Sequence, residues 1–213
     1  MKARRWILSS DTRLAEIADQ VRGCQLCRLA QSRNKAVPGE GPSNARIVFV
    51  GEGPGFHEDQ QGRPFVGAAG NFLEELLASI GLGRQDVYIT NLVKCRPPGN
   101  RDPQPDELEA CTTNYLEKQL EAISPDVIVT LGRFSMERYF PGEKISRIHG
   151  RPKSVGGRLV VPMYHPAAAL HQPSLRETVV QDFARLPEWI EQAEQLEAQP
   201  SGADDAPEQL SLF

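Results

Sequence analysis

Arg46-Ile47-Val48-Phe49-Val50 is an apolar, β-branched run of strand length, followed at once by Gly51-Glu52-Gly53-Pro54-Gly55 and soon after by Gly62-Arg63-Pro64-Phe65-Val66-Gly67. A run of that composition reads as a strand buried on both faces. The glycines and prolines behind it do not continue the strand, so the chain leaves the sheet as a loop of the kind that closes on a ligand. Glycines that let backbone approach a phosphate serve equally for a base or a sugar. The loop fixes a place in the fold without naming what binds there.

The same strand-then-helix alternation recurs along the chain. Leu14, Ile17, Ala18 and Val21 keep helical spacing up to Gly23, and Phe72, Leu73, Leu76, Leu77 and Ile80 do so up to Gly81. Residues 87–90, 126–131 and 158–162 supply three further strands, separated by a helix opening at Pro105 and a short one over 133–140. A last helix runs from 174 to about 197. This order predicts one α/β domain, with a central four-stranded parallel sheet flanked by helices and its ligand site at the carboxyl ends of the strands. That domain covers residues 1–197; residues 198–208 have the composition of a flexible acidic linker, and 209–213 form a separate terminal motif.

The chain has 213 residues, enough for one sizeable core, and a net charge of −4. That charge is uneven: residues 171–213 hold nine acids and two bases, leaving 22 bases against 19 acids in residues 1–170. The body is mildly basic and can face nucleic-acid phosphates, while the acidic tail would turn away from them. No apolar run is long enough to span a membrane, and the basic start leads into Ser9-Ser10-Asp11 with no secretory apolar region. The expected location is the cytoplasm, at the nucleoid.

Four cysteines stand out. Cys24 and Cys27 form a C-x2-C pair, Cys95 follows the second strand, and Cys111 lies on the next helix. In a cytoplasmic chain a chelating pair suggests metal more than disulfides. The wide spacing of the second two weakens zinc without excluding it, whereas an iron-sulfur cluster draws four thiolates from distant segments. Four ordinary buried or free thiols are the plain alternative. Arg22, Arg28, Lys94 and Arg96 flank three of them and would offset thiolate charge.

Polar groups also collect at the predicted strand ends. Asn91 can accept one hydrogen bond and donate another, matching an edge that presents N–H beside C=O, as uracil does. His165, in Tyr164-His165-Pro166, can stabilise developing negative charge. Phe65 is either core or a stacking surface, and Glu52, Glu58 and Asp59 are either solvated loop charges or a metal site. Taken singly each has an ordinary structural explanation; four such signals fall on one edge of one sheet.

In these blocks, GEGPG, GRPFVG, TNLVKCRPP and YHP in that order, the chain resembles the family 4 uracil-DNA glycosylases, the iron-sulfur branch of that superfamily, over roughly residues 14–190. The resemblance implies a monofunctional glycosylase that hydrolyses the N-glycosidic bond of a flipped-out deoxyuridine in single- or double-stranded DNA, leaving an abasic site. It implies one 4Fe-4S cluster on Cys24, Cys27, Cys95 and Cys111, structural and near the DNA. It implies a uracil pocket in which Glu52 and Gly53 contribute backbone, Phe65 stacks on the base, Asn91 meets its Watson-Crick edge and His165 lies near O2. Glu58 would lie toward C5, against a thymine methyl, and Asn100 matches a further polar position. His165, Asn91 and Glu52 are the implied catalytic residues.

One departure from the family pattern and two contrasts with related branches carry meaning. After His165-Pro166 the chain has Ala167-Ala168-Ala169, which leaves Leu170 as the wedge into the base stack. Gly53 stands where the best-known branch of the superfamily has a water-orienting aspartate. A related branch crosslinks to uracil through a histidine in a basic insert after the second strand; that insert is lacking here and His149 does not match it, so turnover is expected. The Walker lysine and Ser/Thr of a nucleotide hydrolase are also lacking.

Gln209-Leu210-Ser211-Leu212-Phe213 resembles the pentapeptide by which bacterial repair proteins bind the sliding clamp, with Gln209 in a polar site and Leu210, Leu212 and Phe213 supplying apolar contact. The plain alternative is a terminus folded back on the body. The protein is expected to act as a monomer tethered to the clamp. The competing functional reading is a non-catalytic iron-sulfur DNA-binding accessory recruited to that clamp.

Overall fold

The computed structural model describes residues 9–198, so the terminal motif at 209–213 and nearly all of the linker lie outside the described residues. In chain order the sheet strands are β1 (Ile47–Gly51), β2 (Tyr88–Asn91), β3 (Val127–Leu131), β4 (Lys153–Val155) and β5 (Arg158–Met163). The helices are α1 (Ser10–Gly23), α2 (Phe56–Gln61), α3 (Ala68–Ser79), α4 (Pro105–Cys111), α5 (Glu117–Ile123), α6 (Arg133–Glu137), α7 (Ile145–Ile148), α8 (Pro166–His171), α9 (Arg176–Ala184) and α10 (Leu186–Ala198). Between α4 and α5 a π-helical turn, Thr112–Leu116, keeps the two helices on one course. Among the described residues no helix is long and apolar enough to cross a membrane.

The strand order is β2-β1-β3-β5-β4, with β1, β2, β3 and β5 parallel. Every residue of β1, β2 and β3 is buried, as a parallel sheet covered on both faces requires. Alternation sorts their side chains to opposite sides. Val48, Val50 and Ile128 pack with Leu14, Ile17, Val21, Leu116 and Leu120 from α1 and the α4–α5 region, and the cysteines belong to this layer. Ile47, Phe49, Val129 and Leu131 pack with Leu73, Leu77, Phe183 and Trp189 from α3, α9 and α10. Phe49 and Phe183 stack at 5.9 Å.

The sheet has five strands and not the four expected. β4 is an antiparallel edge paired to β5 through Gly156-Gly157, whose φ values of 57° and 77° give the two-residue hairpin its left-handed turn. All three β4 residues are exposed, so no apolar pattern marks it in the sequence. The expected last helix is divided as well: a short turn at Pro173–Leu175 precedes α9, and α10 begins after Arg185. Three short helices, α2, α7 and α8, occupy stretches where no helix was expected.

Candidate active site and thiol cluster

The four parallel strands deliver four chain segments to one edge. β1 ends at Gly51, level with Asn91 at the end of β2, and β3 ends at Leu131, level with Met163 on β5. Around that edge lies a cleft of about 400 Å³, in the usual range for a small-molecule site. Glu52, Gly53, Glu58, Phe65, Asn91 and His165 all line it, as does Asn100. The sequence-derived pocket residues therefore meet in space. The sequence did not single out Ala69 and His171, which also line the cleft.

Asn91 is 2 % exposed, and its Oδ1 is buried with no hydrogen-bond partner among the described residues. An orphaned buried acceptor costs free energy, roughly 1–3 kcal/mol, and of the three such side-chain atoms among the described residues only this one belongs to a residue lining the cleft. Its close seating depends on Gly51: a Cβ there would stand 2.3 Å from Asn91 Oδ1 and 2.8 Å from Phe65 Cζ. The glycine thus makes room for the side chains that form the pocket. Beneath Asn91 the buried Lys94 ammonium donates to the Asn91 carbonyl at 2.8 Å, to Thr90 Oγ1 at 2.6 Å and to Gln119 Oε1 at 2.7 Å. Burial lowers the Lys94 pKa to about 8, with Cys111 opposing.

His165 is held as the neutral imidazole. The Ala167 N–H donates to its Nδ1 at 3.1 Å, so the ring proton sits on Nε2 and is available as a donor. Burial lowers its pKa from 6.5 to about 4, with Glu58 opposing. The ring lies nearly parallel to Phe65, centroids 5.4 Å apart, and Gly132, at φ 91°, leaves room for its Cβ. Behind it, Tyr164 packs on His149, whose Nδ1 is 2.8 Å from Asp182 Oδ2. His149 is thus occupied with Asp182 and is not among the residues lining the cleft.

The depressed pKa has a direct consequence for stability. Above pH 6.5 His165 is neutral folded or unfolded; between 6.5 and about 4 only the unfolded chain takes the proton, so stability is expected to fall as pH drops through that window and level off below it. His165→Gln should flatten that part of a melting-temperature profile. An unchanged slope would mean the ring is already protonated in the folded state.

Phe65 adopts φ 52°, a strained value for a bulky residue. Arg84 holds it there through the Phe65 carbonyl at 3.0 Å and the Pro64 carbonyl at 2.6 Å. Both oxygens of Glu58 are engaged by loop backbone: Oε1 accepts from Val66 and Gly67 N–H, at 2.9 and 3.1 Å, and Oε2 from Gly55 N–H at 3.1 Å. That carboxylate ties the two glycine segments together. Asp59 is buried and accepts from the Asn34 backbone and side chain at 2.9 and 2.6 Å. Burial raises the Glu52 pKa, with Asp102 adding to the effect and Arg133 opposing it. Leu170, on α8 beside the cleft-lining Ala167 and Ala168, is 41 % exposed.

The four cysteines line a second, apolar cavity on the other layer. Backbone N–H groups point at two sulfurs, Leu26 N to Cys24 at 3.4 Å and Lys94 N to Cys111 at 3.2 Å, and the Arg33 guanidinium donates to Cys95 at 3.2 Å. Such donors orient and stabilise metal-bound thiolates. Burial raises the pKa of Cys27, Cys95 and Cys111, the last to about 12, which disfavours free thiolates there. No group of three or more His, Cys, Asp or Glu among the described residues is spaced to hold a single ion. Of the cations expected to flank the thiols, Arg22 and Arg28 pair instead with Asp19 and Asp106, at 2.6 and 2.9 Å, and Arg96 lies over Phe56. Arg33, 62 residues from Cys95 in sequence, supplies the side-chain contact to sulfur.

The chain matches a family model described as the uracil DNA glycosylase superfamily over residues 38–187. It is 50 % identical over 184 residues to a type-4 uracil-DNA glycosylase of Saccharolobus solfataricus, covering 82 % of this chain and 85 % of that one. A type-4 uracil-DNA glycosylase of Archaeoglobus fulgidus is 50 % identical over 184 residues, covering 82 % and 92 %. One of Thermotoga maritima is 46 % identical over 179 residues, covering 82 % and 93 %.

Proposed function

The chain belongs to the type-4 branch of the uracil-DNA glycosylase superfamily, and from that premise we propose how its residues divide the work. It is a monofunctional hydrolase that excises uracil from DNA. The observation that carries the site assignment is the pairing of an orphaned buried acceptor, Asn91 Oδ1, with a neutral imidazole carrying its proton on Nε2.

A base inside a duplex is out of reach of any such cleft, so the deoxyuridine is extruded at a cost of a few kcal/mol, less from single strands. Leu170 is the wedge that fills the vacated stack. In the cleft Phe65 stacks on the base, Asn91 accepts from N3–H and donates to O4, and the backbone at Glu52 and Gly53 closes the remaining side. As the N-glycosidic bond lengthens, the electron pair passes to uracil and the sugar becomes oxocarbenium-like. His165 Nε2–H donates to O2 and stabilises that anion. Water then adds its oxygen to C1′ and gives up one proton, which ends on the departing uracil anion. Gly53 offers no carboxylate for it, and Glu52, whose pKa burial raises, is the neighbouring carboxylate in the cleft that would orient it. Glu58, fixed by three backbone N–H groups, limits space at C5.

Cys24, Cys27, Cys95 and Cys111 are assigned as ligands of one 4Fe-4S cluster. The fit rests on their shared cavity and on the N–H and guanidinium donors to sulfur. When bound, the cluster would crosslink the end of α1, the loop after β2 and α4; bond cleavage belongs to the cleft. A protein working as one copy on DNA, with residues 209–213 on the sliding clamp, completes the reading.

The iron-loaded protein, given an excess of an oligonucleotide with one deoxyuridine, should leave an alkali-labile site at that nucleotide over many turnovers. No such site would leave the accessory-protein reading. Deleting residues 209–213 should abolish clamp binding in a calorimetric titration while uracil release on a short oligonucleotide is kept; unchanged clamp affinity would remove the tethering assignment.

A further inference from the structure

The rim of the cleft carries an aromatic ring that the core does not use. Phe56, the first residue of α2, is 53 % exposed, whereas the six other phenylalanines among the described residues are buried or half-buried. An exposed ring of that size is unusual in a chain that hides its other aromatics. Its neighbours are polar: the Arg96 guanidinium lies 5.2 Å from the ring centroid, and His57 meets it edge-on at 5.4 Å. Arg96 Nε in turn donates to Asn100 Oδ1 at 2.7 Å. Gly55 and Asn100, which flank this group in sequence and in space, both line the cleft.

Charge makes the group selective. Arg28, Arg101 and Arg133 each pair with a carboxylate. Arg96 pairs with none among the described residues; its only bonded partner there is a neutral amide. An aromatic surface beside an uncompensated guanidinium is the combination that holds single-stranded nucleic acid, the ring taking a base and the cation a phosphate. Extruding a uridine removes a stacking partner from the base next to it, which leaves that base free to stack on a protein ring.

We propose that Phe56 and Arg96 form a second nucleotide subsite, in which Phe56 stacks on the base of a nucleotide flanking the extruded uridine and Arg96 meets the phosphate beside it. This rests on the uracil reading of the cleft. It makes flanking-base contact, and not the uracil pocket alone, a determinant of affinity for single strands.

The test compares wild type, Phe56→Ala, Phe56→Tyr and Arg96→Gln on single-stranded oligonucleotides carrying one deoxyuridine, with an intact base or an abasic analogue on its 5′ or 3′ side. Binding is read by fluorescence anisotropy with a non-cleavable deoxyuridine, and turnover by uracil release. Phe56→Ala should weaken binding about 10-fold, the scale of one base-aromatic stack, with the loss falling on KM more than on kcat. Phe56→Tyr should restore it. The abasic neighbour, on one side only, should weaken wild type by a similar factor and leave Phe56→Ala unaffected. Arg96→Gln should lower the salt dependence of binding by about one phosphate contact. Equal affinities of wild type and Phe56→Ala, or the same abasic penalty in both, overturns the subsite. Binding without uracil release by wild type would instead contradict the reading of the cleft, and the anisotropy data would still judge the subsite.

Discussion

His165→Ala is expected to lower the rate of uracil release by about 100- to 1,000-fold, the range seen when one preorganised donor to a developing anion is removed. The effect should fall on kcat, measured in single turnover, because the Nε2–H bond strengthens only as charge gathers on O2. The neutral ring, held by the Ala167 N–H and kept below its usual pKa by burial, donates equally well across pH 5–8. Asn91→Ala should show a comparable loss shared between KM and kcat, since in the proposed pose its amide contacts the base before and during bond cleavage. In both variants the iron content should match wild type. A variant that loses iron along with activity would place the residue in the scaffold, and full activity of His165→Ala would remove it from the chemistry.

Cys95→Ala is expected to abolish cluster binding and to lower the thermal midpoint by roughly 10 °C, the shift that a loss of several kcal/mol gives in a chain of this size. Cys95 joins the loop after β2 to the C-x2-C turn that ends α1, and Arg33, bonded to both the Cys95 sulfur and the Arg22 carbonyl, would lose one anchor. Damage should spread to the cleft because β2 is shared. Lys94 donates through its backbone to Cys111 and through its ammonium to the Asn91 carbonyl, so this one residue links the thiol cavity to the end of β2. Iron and sulfide analysis with a melting curve decides the matter: retained iron at wild-type stoichiometry would contradict the four-cysteine ligand set.

Much of this was legible in the chain because it follows from local composition. The buried run before Gly51, the parallel sheet and the gathering of Asn91, Phe65 and His165 at its carboxyl edge all derive from strand periodicity and punctuation. What escaped depends on tertiary contact. β4 is exposed on every residue, so only Gly156-Gly157 marks it, and α2 is six residues between glycines with one aromatic, Phe56, and no apolar stripe. The role of Gly51 was legible as closeness without its object, which is the Asn91 and Phe65 side chains. Adjacent cations looked like cluster partners, yet Arg22 and Arg28 find carboxylates, and Arg33 reaches Cys95 across 62 residues of sequence. No sequence pattern states which imidazole nitrogen carries the proton; that is fixed by the Ala167 N–H at the start of α8.

The central claim is that uracil is read and released in the cleft at the carboxyl ends of β1, β2 and β5. A crystal structure of the iron-loaded protein with a single-stranded oligonucleotide carrying 2′-fluoro-deoxyuridine, whose glycosidic bond resists cleavage, tests it most directly. The base should lie against Phe65 with its imide edge about 2.7–3.2 Å from the Asn91 side chain and O2 within the same distance of His165 Nε2. A uridine left stacked in the strand, or bound with its imide edge away from Asn91 and His165, would contradict the claim.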